Sequence, residues 1–259
     1  MKKQIACGLF ALAAVFWAYA GDSAVLVDNG FSADGNYYIF GQYGKTDKTF
    51  QGWAELFTVD VAANAFVDGG VFQVKPSAAT ADKSGKEVYE ALAGRSYYFT
   101  KKYNCSPAAP DQILYIRDEE RKSGTDEIEF QDFIRAVSDD RAFYRVQLVP
   151  QISGSGQNVA SSFFIMLEKH DENGTVLARQ RIGSPSVVRR GVKGYKIERI
   201  VCDKTGSRLV FVIEKTTEDK TGINIRYMVE AAVLDDAFFR NAAPATGRTS
   251  EMAAASDAK

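Results

Sequence analysis

Short runs of Val, Ile, Phe and Tyr, each bounded by Gly, Asp or Asn, recur along most of this 259-residue chain. Runs of that length and composition predict antiparallel strands joined by tight turns. The pattern places strands at 24–28, 37–43, 54–61, 71–75, 113–117, 127–134, 143–151, 163–169, 176–182, 195–202, 208–215 and 224–234. Asn173-Gly174 is the clearest turn, because a two-residue hairpin needs positive φ at its centre and Asn and Gly supply it cheaply. Asp-Lys-Ser/Thr-Gly recurs at Asp82, Asp203 and Asp219, and reads as turn chemistry, with Asp bonding the nearby backbone. One segment departs from the two-residue rhythm. Over 86–103, Val88, Leu92, Phe99 and Tyr103 share one helical face, which predicts an amphipathic helix sealing one face of a sheet.

Within this pattern, residues 31–40 (FSADGNYYIF) align with residues 202–211 (CDKTGSRLVF), and a further strand follows each after an equal gap. Residues 137–146 form a looser third copy without the Gly. The strand, turn, strand cadence resembles a blade of TolB-type and WD-repeat propellers, carried here by FSADGNYYIF with AELFTVDV behind it. The spacing is uneven and a helix intervenes, so a sandwich or open stacked sheets fit the pattern as well. The fold class expected is mainly β: antiparallel sheets, as propeller-like blades or a sandwich, with one inserted amphipathic helix.

Both ends of the chain differ from its body. Lys2 and Lys3, the apolar run from Ile5 to Trp17, and Ala18-Tyr19-Ala20 before Gly21 form a secretory signal peptide over residues 1–20. The apolar run is shorter than the roughly 20 residues that cross a bilayer, so no membrane span is expected after cleavage. The β body is expected over 21–236. Residues 237–259 run into an Ala-, Thr- and Ser-rich stretch from Ala242, with too few large apolar groups to offset the entropy of ordering, and predict a disordered tail.

Loss of Lys2 and Lys3 with the signal lowers the formal charge from -1 to -3. A mildly acidic chain whose basic clusters are short, Lys101-Lys102 and Arg189-Arg190, lacks the footprint of a nucleic-acid binder, and both clusters read as solvated surface. Of three cysteines, Cys7 leaves with the signal. Cys105 and Cys202 then either pair in an oxidising compartment or stand as two small buried apolar residues.

At a larger scale the chain resembles a family of uncharacterised predicted secreted bacterial proteins. The likeness is carried by GFSADGNYYIFGQYG from Gly30, the AELFTVDV strand, and GYKIERIVCDKTGSRLVFVIEK from Gly194. The resemblance implies export, to the periplasm or beyond, and a shared fold. It brings no assigned activity.

Catalytic chemistry is sparse. His170 is the single histidine, which excludes a histidine-rich zinc site, and no Gly-x-Ser-x-Gly elbow accompanies it. His170 reads as a polar residue at a strand end. Gly154-Ser155-Gly156 lacks the third glycine of a dinucleotide loop, and Asp171, Glu172 and Asn173 lack the spacing of a calcium loop. Glu119-Glu120 and Asp139-Asp140 are adjacent acids that point to opposite faces of a strand. No catalytic residue, metal ligand or cofactor is assigned.

Aromatics are the remaining resource. Alternation puts Tyr38 with Phe40 on one face and Tyr37 with Ile39 on the other, the mark of a strand covered on both sides. Tyr43 ends this strand and the loop from Gly44 to Trp53 presents Phe50 and Trp53; the three read either as packed core or as a platform for a peptide or glycan. These features favour an exported, non-enzymatic binding or scaffolding protein whose partner is a protein or cell-envelope component. The alternative is an extracytoplasmic hydrolase with a carboxylate-based site.

Overall fold

The structure, a computed structural model, describes residues 22–118, 127–131, 142–219 and 222–239. The segment read as a signal, the acid pairs Glu119-Glu120 and Asp139-Asp140, the first half of the third repeat copy and the tail from 240 lie outside the described residues.

All twelve expected strands are present, and they form three antiparallel sheets. Sheet I is a meander of β1 (Val25–Phe31), β2 (Tyr37–Lys45), β3 (Gly52–Asp60) and β4 (Ala65–Val74), in that spatial order. After helix α1 (Gly85–Thr100), β5 (Ile113–Ile116) leads into sheet II. Sheet II holds β6 (Glu127–Gln131), β7 (Phe143–Ser153), β8 (Ala160–His170), β9 (Val176–Ile182) and the two-residue β10 (Arg189–Arg190), with β8 pairing β7, β9 and β10. In sheet III, β11 (Val192–Cys202), β12 (Arg208–Asp219) and β13 (Gly222–Val233) continue the chain while β5 pairs with β11, giving the order β13-β12-β11-β5. Strand β10 is too short to leave a pattern in the sequence.

The sheets stack, and strand alternation shows how. On β12, Leu209, Phe211 and Ile213 enter one hydrophobic cluster with Tyr144, Val146, Phe163, Ile165 and Leu167 of sheet II. Val210 and Val212, pointing the other way, enter a second with Tyr38, Phe40, Phe57 and Val59 of sheet I. Sheet III is therefore the middle layer, and its strands read as unbroken apolar runs because both faces are covered. Helix α1 closes the far face of sheet I, where Val88, Tyr89 and Leu92 meet Ile39, Ala54 and Leu56. The layers run α1, sheet I, sheet III, sheet II, so β2 is covered on both sides as its alternation requires.

The two best repeat copies adopt one turn geometry. Ser32 N donates to Tyr37 O at 2.8 Å and Gly35 N to Ser32 O at 2.9 Å; Asp203 N donates to Arg208 O and Gly206 N to Asp203 O, each at 3.0 Å. The turns also touch, through an Arg208 Nη2 bond to Asn36 Oδ1 of 2.9 Å. The blade-like likeness thus corresponds to matching hairpins in sheets I and III.

Several boundaries differ from expectation for identifiable reasons. Ser84 is the helix N-cap rather than a turn residue: Glu87 N donates to its Oγ at 3.2 Å and Ser84 N donates to Glu87 Oε2 at 2.7 Å, a capping box. Strand β4 begins at Ala65, well before the predicted start, because Asp68, Gly69 and Gly70 form a bulge within it instead of a turn. Phe238, placed by composition at the start of the tail, lies fully buried in the core between sheets II and III, and Lys169 Nζ donates to its carbonyl at 2.9 Å.

Candidate binding surface

The residues expected to form an aromatic platform are held in three different surroundings. Trp53 is buried: its Nε1 donates to Asp22 Oδ2 at 2.9 Å, and the Arg226 guanidinium lies 3.9 Å from the ring centroid. Tyr43, one residue off the pairing of Trp53 with Gly44, faces the other way and packs on Tyr89 of α1 at 5.7 Å between centroids. Phe50 alone is in solvent, 64% exposed, at the tip of a loop closed by Thr46 and Gln51.

Trp53 belongs to a polar seam that ties sheet I to sheet III. Buried Gln42 accepts from Tyr227 N at 2.7 Å and donates to Tyr227 O at 3.2 Å and Glu55 Oε2 at 2.8 Å, joining β2, β3 and β13. Burial pulls the nearby Lys215 ammonium below its ordinary range; Glu55 opposes this, and Arg189 and Arg226 add to it. Arg189, read from sequence as solvated, is instead half-buried, paired with Glu230 at 3.3 Å and set over the Phe163 ring at 4.9 Å.

His170 is buried, with its ring stacked on Phe143 at 5.3 Å. Nε2 lies 2.9 Å from Glu168 Oε2 and Nδ1 lies 3.1 Å from Gly174 O, so both nitrogens are occupied by local partners. Burial acts to raise the Glu168 carboxyl, but hydrogen bonds from His170 and Arg179 outweigh it and hold the group below the usual carboxylate range. The arrangement fastens the Asn173-Gly174 hairpin.

Cys202 lies in the core between sheets II and III, whereas Cys105 packs against the cluster beneath α1, and both are free thiols. Burial, reinforced by nearby aspartates, pushes each thiol up to about 12. Thiolate is the reactive form, so neither should be labelled by a maleimide in the native protein at pH 8, and both should be labelled after denaturation. An intact mass two hydrogens lower, with no labelling in denaturant, would show a disulfide instead.

The most exposed aromatic surface lies at the end of α1. Tyr97 and Tyr98 are 63% and 85% exposed, and Lys101 Nζ sits 5.9 and 5.8 Å from their ring centroids. Lys102 Nζ lies 4.0 Å from the Phe99 centroid and 4.8 Å from that of Tyr103. Beneath them Phe99 meets Phe72 at 5.3 Å, and Tyr103 meets Tyr37 at 4.6 Å, which fixes the helix end to β4 and β2. The stretch from Arg95 to Tyr103 carries three cations and no acid on a chain of net negative charge. The sequence contained a signal for this surface. Two adjacent aromatics on a helix, both off the Val88–Leu92 stripe, have no sheet to face. This end lies about 24 Å along the helix from its amino-terminal end, which abuts Gly44 and Gly52 next to the Phe50 loop. Among the described residues no group of three His, Cys, Asp or Glu side chains is placed to hold a metal, and no helix is long and apolar enough to cross a membrane.

Stacked antiparallel sheets, one sealing helix and an exposed tip of aromatic and basic side chains define a mainly β protein. The model of a family described as "Predicted secreted protein (DUF2259)" matches residues 39–232, and the chain belongs to that family. The match runs from β2 to β13 and takes in parts of all three sheets. Neither the curated proteins nor the solved structures contain a significant match to this chain. The family is described as secreted, and the protein is therefore an exported one.

Proposed function

We propose that the protein acts outside the cytoplasm as a non-enzymatic binding protein, and that the end of α1 is its contact surface for an anionic component of the envelope. The observation that carries this reading is the juxtaposition of Tyr97 and Tyr98, both largely in solvent, with Lys101, next to Lys102 over Phe99 and Tyr103. Tyrosine sits well at a boundary where one end is apolar and the other wet, and each lysine near an anionic surface contributes about 1 kcal/mol. The half-buried Phe99 and Tyr103 hold the tip in place, so little ordering entropy opposes binding.

The test is co-sedimentation of the mature protein with phosphatidylglycerol-containing vesicles and with neutral phosphatidylcholine vesicles. Binding is expected to the anionic vesicles and to weaken with salt. Lys101→Ser with Lys102→Ser should lower affinity about tenfold or more, and Tyr98→Ser several-fold, with unchanged unfolding midpoints. Equal binding by the double variant, or no anionic surface bound at low salt, would defeat the reading.

A further inference from the structure

Among the described residues sheet II is the outermost layer opposite α1, and no layer lies over its far face. Phe163, Ile165 and Leu167 of β8 point into the core, so Ala160, Phe164 and Met166 point outward. Arg190 of β10 pairs with Ala160 and Arg181 of β9 pairs with Met166, and residues directly opposite in a ladder share a face. Both guanidinium groups therefore stand on the outer face, with the half-buried Phe164 and Met166 beside them. The loop between β9 and β10 adds Val187 and Val188, 49% and 63% exposed.

Charge on this face is unevenly matched. Its acids have partners: Glu127 and Glu129 lie 2.7 and 3.6 Å from Arg145, and Glu168 lies 2.6 Å from Arg179. Arg181 and Arg190 are exposed, and neither makes a side-chain hydrogen bond or ion pair among the described residues. From Asn173 to Ile197 the chain carries six cations and no acid, so nothing nearby in sequence neutralises them. A guanidinium takes a phosphate through two parallel bonds, and apolar side chains beside it can enter the boundary between headgroups and acyl chains. Arg181 and Arg190 beside Val187 and Val188 meet both demands. The α1 tip of a second copy does not, because it is cationic too and would be repelled.

We infer that the outer face of sheet II is a second contact for an anionic lipid surface, so that the protein joins two such surfaces; the inference rests on the α1 tip being the first contact. Sheets I and III lie between α1 and sheet II, and stacked layers are about 10 Å apart, so the two contacts look in opposite directions across about 30 Å. That distance is several times the roughly 8 Å over which exposed charges act at physiological salt. No flat membrane reaches both. A molecule held through α1 therefore leaves Arg181 and Arg190 free for a second membrane, and many molecules between the same two membranes act together, so that weak single contacts suffice.

The experiment mixes the protein with phosphatidylglycerol-containing vesicles and follows particle size by dynamic light scattering, with co-sedimentation in parallel. Size should rise at a low ratio of protein to lipid, fall back when excess protein coats every vesicle, and revert on adding salt. Arg181→Ser with Arg190→Ser should lower clustering about tenfold or more while the amount bound through α1 changes less than about twofold. Lys101→Ser with Lys102→Ser should lower both. Arg181 and Arg190 are exposed and unpaired, so their double variant should keep its unfolding midpoint. Binding without clustering would overturn this inference and leave the α1 contact standing, whereas no binding at all would overturn both. Clustering that survives Arg181→Ser with Arg190→Ser would also overturn it, as would a dimer in the absence of lipid, which would bridge through two copies of α1.

Discussion

Phe211→Ala is expected to lower the unfolding free energy by about 3–5 kcal/mol, the range for removing a buried aromatic ring. Phe211 is fully buried on β12, within five consecutive residues, Leu209 to Ile213, that have no exposed surface. Its ring fills the space between sheets III and II, among the side chains of β7 and β8. Collapse into the cavity is opposed because β12 is also held from behind, where Val210 and Val212 pack on Phe40 and Phe57 of sheet I. A strand pinned on both faces cannot shift toward one without opening a gap at the other. Urea unfolding should show the loss as a lower midpoint with an unchanged slope, and Ile223→Ala, at a half-exposed site on β13, should stay within about 1 kcal/mol of wild type. A loss below about 1.5 kcal/mol for Phe211→Ala would mean that sheets II and III do not pack through β12.

The periodic parts of this architecture were legible because burial on each face of a strand leaves a two-residue signature. Tyr38 and Phe40 against Ile39 announced a strand covered on both sides, and the structure supplies sheet III for one face and α1 for the other. Stacking order was not legible, since periodicity says that a face is covered and not by what. Bulges misled for a related reason: Asp28-Asn29-Gly30 and Asp68-Gly69-Gly70 have turn composition, yet both lie inside strands, because a bulge and a turn make the same demand for a residue at positive φ. The platform residues were a harder case. Nothing local to Trp53 indicates that Asp22 and Arg226, from opposite ends of the chain, will clamp it. Tyr97 and Tyr98, by contrast, could be read from their position off the helical stripe.

Gly30→Ala should be comparably damaging, at about 3–5 kcal/mol, while Gly174→Ala should lose only about 1–2 kcal/mol, although both glycines have φ of +79°. The left-handed backbone is common to the two sites, so its penalty for an L side chain is shared. What differs is the neighbour. A Cβ on Gly174 meets nothing within 4 Å, whereas one on Gly30 would lie 1.7 Å from Ser106 O and 2.8 Å from Pro107 Cα. Those are backbone atoms that no rotamer change can move aside. Ser106 is held in place by its N–H bond to Phe31 O at 3.0 Å, the link that returns the chain from α1 to the edge of sheet I. Making room for the methyl group must break that link or straighten the β1 bulge, and straightening it would turn the residues beyond Gly30 to the wrong face. The paired variants separate the two contributions: the difference between them in a denaturation experiment measures the close approach alone. Equal losses at the two sites would show that the segment around Ser106 does not lie against β1.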